Sequence, residues 1–152
     1  MTVQQFETAP QMDAVRGVRR NVVGYAADQG VGGAVLADLA IGVSAVLASV
    51  VRSSRHAGSD APVSVSVDID DDRVLARVRG QHAHTVCLDN PGAALGLVTA
   101  ASLACDIRVC SPGSTGIEIS MRFPRAAAPR GAMPAAASVP HGRFTSAARE
   151  SV

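Results

Sequence analysis

Lysine is absent from this chain: all 14 basic residues are arginine. Tryptophan is absent too, and the aromatic side chains are Phe6, Tyr25, Phe123 and Phe144. Any core built from such a chain must be aliphatic. The 14 basic residues face 13 acidic ones, for a formal net charge of +1, so composition carries no general attraction for nucleic acid or an anionic membrane. Cysteine is scarce. Cys87, Cys105 and Cys110 are odd in number and lack CxxC spacing, which argues against a disulfide framework and against a structural zinc site. The opening MTVQQFETAP has neither a basic n-region nor an apolar h-region, so no signal peptide is expected. No uninterrupted apolar run reaches the roughly 18–20 residues of a membrane span. Residues 35–51 contain Asp38 and read as an amphipathic helix instead. The expected location is the cytoplasm.

What the chain does have is a change of period. The 152 residues fit one domain with a sizeable core. Residues 1–11 form an irregular or edge-strand lead-in. Residues 12–28 repeat Met12, Val15, Val18, Val22 and Ala26 at helical spacing, with Arg16, Arg19 and Arg20 on the other side. Asp28, Gly30, Gly32 and Gly33 end that helix. Residues 35–53 carry the clearest helical stripe: Leu36, Leu39, Ala40, Val43, Val46, Leu47 and Val50. Opposite it run Gly42, Ala45 and Ser49, a line of small side chains. A large face and a small face predict a helix buried on both sides. The small line permits close packing or lines a pocket, and packing is the commoner outcome.

After Pro62 the period becomes two. Val63, Val65, Val67 and Ile69 alternate with Ser64, Ser66 and Asp68; an Asp70–Asp72 turn follows; Val74, Ala76 and Val78 alternate with Arg73, Leu75, Arg77 and Arg79. This is a β-hairpin with one apolar and one wet face. Residues 80–91 read as a loop, 93–104 as a helix opened by Gly92, and 106–110 and 116–123 as two further strands. From residue 124 to 152 the chain is rich in Pro, Ala and Gly, which predicts a disordered tail. The fold class is therefore α+β, a two-layer sandwich with helices packed on one face of a mixed or antiparallel sheet. Cys105 and Cys110 read as small core residues. His82, His84 and Cys87 have zinc-binding side chains, but a solvated loop is the simpler reading. No His or Asp stands in register with Ser44 or Ser49, so nucleophilic catalysis has no support.

Three segments resemble the GHKL (Bergerat-fold) ATPase family, in particular its anti-sigma-factor serine kinase branch. DLAIGVSAVLASVVR is similar to the N-box helix pattern DLxLAVSEAVTNAVxH; GAALGL is similar to the Gly-x-Gly-Leu-Gly-Leu turn along the nucleotide phosphates; PGSTGIEISMRF is similar to the closing Gly-Gly-Thr turn and strand. The resemblance covers residues 12–123 and implies the histidine-kinase-like ATPase fold. It implies a remnant nucleotide site at Gly92, Leu95, Gly96 and Leu97, with Thr115 matching the closing threonine. The departures are as informative. The N-box Glu falls on Ala45, the Mg²⁺-binding Asn on Ser49 and the N-box His on Ser53, while no Asp stands near Gly80 to accept from adenine. Ala45 cannot take a proton, and Ser49 offers a neutral hydroxyl where a metal site needs stronger oxygen ligands.

The resemblance therefore implies a regulatory protein of the anti-sigma-kinase type that has lost its ATP-handling residues, a pseudokinase acting on transcription by binding a sigma factor or an anti-anti-sigma (STAS-type) partner. No metal and no cofactor are expected, with ATP and Mg²⁺ at most weakly held, and no nucleic-acid or membrane partner. A homodimer through the first helix and the sheet edge, usual in that family, stays open. The alternatives are an active ATP-dependent serine/threonine kinase with a divergent site, and a small-ligand sensor using the remnant pocket.

Overall fold

The computed structural model describes residues 2–81, 91–111 and 116–126. The loop with His82, His84 and Cys87, the turn with Thr115 and the tail from 127 onward lie outside the described residues. In chain order the elements are β1 (Thr2–Thr8), α1 (Met12–Asp28), α2 (Gly33–His56), β2 (Val63–Ile69), β3 (Arg73–Gln81), α3 (Pro91–Leu103), β4 (Asp106–Cys110) and β5 (Gly116–Pro124). The strands form one open sheet of order β1-β2-β3-β5-β4, and every pairing in it is antiparallel.

The fold is thus an α+β two-layer sandwich. Alternation puts Val63, Val65 and Val67 of β2, Val74, Ala76 and Val78 of β3, and Ile117, Ile119, Met121 and Phe123 of β5 on one face, all buried. The helices cover that face. α2 lies over β3 and β5, α1 meets β1 and β2, and α3 meets β4 and β5. Leu39, Val43, Val46, Leu47 and Val50 of α2 and Val18, Val22 and Ala26 of α1 fill the space between. With few aromatics, Phe123 is the largest fully buried side chain.

Both long helices stop in the same way. At the end of α1, Gly30 takes φ 79°, its N–H donates to Ala27 O (2.9 Å) and the Val31 N–H donates to Ala26 O (3.1 Å). At the end of α2, Gly58 takes φ 68°, its N–H donates to Arg55 O (3.0 Å) and the Ser59 N–H to Ser54 O (2.9 Å). This is the Schellman arrangement, which needs a left-handed residue just past the cap and so favours glycine. It carries α2 to His56, three residues past the end expected at residue 53. α2 is long and apolar enough to cross a membrane by length and composition, although Asp38 interrupts it; half of its most apolar stretch is buried against the sheet and the other helices.

The β2–β3 turn is held by Asp70. Its Oδ1 accepts from the Asp72 and Arg73 N–H groups (3.0 and 2.9 Å), and its Oδ2 from Arg73 Nε (2.8 Å). The Asp72 N–H, helped by Arg73, holds the Asp70 carboxyl below its ordinary pKa.

Of the two readings of the lead-in, the edge strand holds: residues 2–8 form a regular one, because pairing with β2 supplies what their weak alternation does not. Two differences from the sequence expectation remain. The ordered fold runs past residue 123: β5 reaches Pro124, and the Arg125 guanidinium donates to Asp70 O (2.8 Å) and Gln29 O (2.7 Å), tying the end of β5 to the end of α1. Cys105 and Cys110 are exposed, not core residues. Cys105 follows α3 in a surface turn, and Cys110 ends the edge strand β4 on the side of the sheet that, among the described residues, no helix covers.

Candidate functional site at the junction of the second and third helices

α2 places Ala45, Ser49 and Ser53, the three positions aligned with the N-box in the resemblance, one turn apart or nearly so. Ser49 and Ser53 are each 1% exposed. Ser49 Oγ donates to Ala45 O at 3.0 Å, the back-bond that serine makes inside a helix. The small line therefore turns inward, as a helix buried on both sides requires. Its two ends meet different neighbours. A Cβ added at Gly42 would lie 3.0 Å from Phe123 Cζ and 3.5 Å from Met121 Sδ, so Gly42 lets β5 approach.

Ala45 and Ser49 instead face α3. A Cβ added at Gly96 would overlap Ser49 Oγ and come within 2.7 Å of the Ala45 carbonyl oxygen. At Gly96 the α3 backbone thus lies directly against α2, and only hydrogen fits there. The segment similar to the family's phosphate turn is helical throughout: Gly92, Leu95, Gly96 and Leu97 all lie within α3. Gly96 faces α2, Leu97 packs on the core, and Leu95 points outward, 67% exposed. Gly96 is brought against the two N-box positions; Leu95 is not. Thr115 lies outside the described residues.

The chemistry available at this junction is slight. Among the described residues, the contact with Gly96 offers the Ser49 hydroxyl, already engaged with a backbone carbonyl, and the Ala45 backbone. Among the described residues no group of three or more His, Cys, Asp or Glu side chains could hold a metal ion. A phosphate needs free N–H groups or cationic side chains. Where Gly96 meets α2 the space is filled by backbone.

Two features were not legible in the residues alone. Leu95 and Val98 sit three residues apart on α3 and are 67% and 65% exposed, and Ile41 on α2 is 50% exposed. α3 carries no charged residue, so no periodicity marks which side faces water. A shallow groove also lies between Arg16, Arg19, Arg20 and Val23 of α1 and Ala40 of α2. The arginine spacing hinted at a basic stripe but not at the cleft beside it.

The class these features define is a small α+β sandwich whose helix junction is packed shut. No protein-family model matches the chain, and no curated protein sequence matches it.

Proposed function

We propose that this chain is a cytoplasmic regulatory protein of the anti-sigma-kinase type, working by binding a protein partner and not by phosphoryl transfer. The observation that carries the reading is the contact of Gly96 with Ala45 and Ser49. Phosphoryl transfer depends on positioning and on metal-borne charge neutralisation. At the positions that would supply a base and a metal ligand there are a methyl group and an engaged hydroxyl, and a second helix lies against them. Exposed apolar side chains on the helical layer support the partner-binding half of the reading. Leu95 and Val98 are large, apolar and outward, the kind of surface that marks an interaction site when it is contiguous.

The partner is a sigma factor or a STAS-type antagonist of one. The test is to mix the purified protein with each such protein of its own host, without nucleotide, and follow complex formation by size-exclusion chromatography and calorimetry. A one-to-one complex is expected, weakened about tenfold or more by Leu95→Asp with Val98→Asp, as for removal of a central apolar contact. A complex that needs ATP, or phosphate transfer to a serine of the STAS-type protein, would put the active kinase in its place.

A further inference from the structure

The face of the sheet that no helix covers among the described residues has an ordered charge pattern. The register sets three rows across the five strands: Val3, Asp68, Leu75, Arg122, Asp106; then Gln5, Ser66, Arg77, Ser120, Arg108; then Glu7, Ser64, Arg79, Glu118, Cys110. The arginines of these rows, Arg77, Arg79, Arg108 and Arg122, all stand on β3, β5 and β4. The β1–β2 side has none and carries Glu7 and Asp68.

Within the arginine half lies a groove of about 190 Å³, lined by Leu75, Arg77, Asp106, Arg108, Ser120 and Arg122. Its middle is low because Ser120 is small. Arg77 and Arg108 flank Ser120 on the two neighbouring strands, so their Cα atoms are about 10 Å apart at ordinary strand spacing. Their charges are poorly compensated. Asp106 is shared between Arg108 (3.1 Å) and Arg122 (3.5 Å). Arg79 is occupied by Glu118. Arg77 pairs with no carboxylate among the described residues. Asp68, its diagonal neighbour on β2, is 6% exposed with Oδ1 unpartnered, so those two do not meet. Arg122 Nε is buried and also lacks an acceptor. Three guanidinium groups thus face one carboxylate around a serine floor.

We propose that this groove receives carboxylate side chains from an extended acidic segment of a protein partner. A carboxylate above Ser120 accepts charge-assisted hydrogen bonds from Arg77 and Arg108, which are the strong kind. The face is too polar for a second copy of the chain to stack on it, and two copies related by a two-fold axis near β3 would bring Arg77 against Arg77. Nucleic acid is the weaker fit, since a phosphate backbone spreads its charge along its length and needs a longer basic track than one groove of about 190 Å³ with three arginines. The proposal does not rest on the anti-sigma reading, because it concerns the opposite side of the sandwich from α3.

The test uses the full chain and a fluorescein-labelled hexaglutamate peptide, followed by fluorescence anisotropy at low and at physiological salt. Saturable binding is expected, weaker at higher salt as screening requires. Arg77→Ala should weaken it about fivefold or more, as expected for one charge-assisted contact, while Arg77→Lys keeps most of it by keeping the charge. Arg19→Ala with Arg20→Ala, on the basic side of α1, should change it less than about twofold, being outside the groove. Thermal melts of the Arg77 variants that match the parent keep the comparison one of binding. No saturable binding, an equal loss in the α1 variant, or tighter binding of a single-stranded oligonucleotide than of the peptide would overturn the proposal.

Discussion

The two sides of α2 are packed by opposite means. Toward the sheet, Leu39, Val43, Val46, Leu47 and Val50 interdigitate with valines and with Phe123, and bulk fills the space. Toward α3, Ala45, Ser49 and Gly96 fill it by having almost no bulk, so that backbone meets backbone. The first is a common hydrophobic core, tolerant of shape and sensitive to volume. The second is a fit in which any added atom collides. A line of small residues on a helix can thus look like an emptied active site and be a helix–helix contact. What decides is the partner on the other side, here Gly96.

The largest effect should come from the bulky side. Phe123→Ala removes the largest fully buried side chain and leaves a cavity beside Gly42. A loss of about 3–5 kcal/mol is expected, seen in denaturant unfolding and as a fall in melting temperature of roughly 10 °C or more. A smaller loss, under about 1.5 kcal/mol, would mean that β5 and α2 are less tightly joined than their contacts indicate.

On the small side, Gly96→Ala is the informative change. In an open cleft it would stabilise α3 by up to about 1 kcal/mol through helix propensity. Here the new methyl meets Ser49 Oγ and the Ala45 carbonyl, and the backbone cannot turn aside. A net loss of about 1–3 kcal/mol is expected. Adding Ser49→Ala should recover part of it, since that removes the Oγ overlap and leaves the carbonyl one. A neutral or stabilising Gly96→Ala would break the comparison.

The smallest effect belongs to Gly42→Ala, where the two kinds of packing meet. Its Cβ would press on the Phe123 ring at 3.0 Å, and a ring edge can yield by a few tenths of an ångström. Helix propensity offsets this by about 1 kcal/mol, so the net change should stay within about 1 kcal/mol of zero in the same unfolding measurement.

Most of the fold could be read from the sequence because it rests on period. The switch from helical spacing before His56 to alternation after Pro62 separates the layers, and Gly30 marks the end of α1. β1 was harder, since Gln4, Phe6 and Thr8, which pair with the inward valines of β2, include one apolar side chain; its partner β2 makes it a strand. Cys110 misled because residue type suggests burial, whereas burial in a five-residue edge strand is decided by what covers it. The site was less legible. The small line on α2 was visible, but its occupant comes from a segment 43 residues or more downstream, and the helical state of Gly92–Leu97 is a tertiary outcome. The isolation of Arg77 likewise depends on a register across four strand pairs, which no single stretch of sequence contains.

Nucleotide binding tests the closed junction of α2 and α3 most directly. Isothermal calorimetry of ATP into the unmodified protein, with and without Mg²⁺, should show affinity no better than about 0.1–1 mM, a free energy of only about 4–5.5 kcal/mol, with no Mg²⁺ dependence. The variant Ala45→Glu with Ser49→Asn should bind no better, because α3 still lies against those positions. Micromolar, Mg²⁺-dependent binding by the unmodified protein would contradict the closed junction and the partner-binding reading built on it.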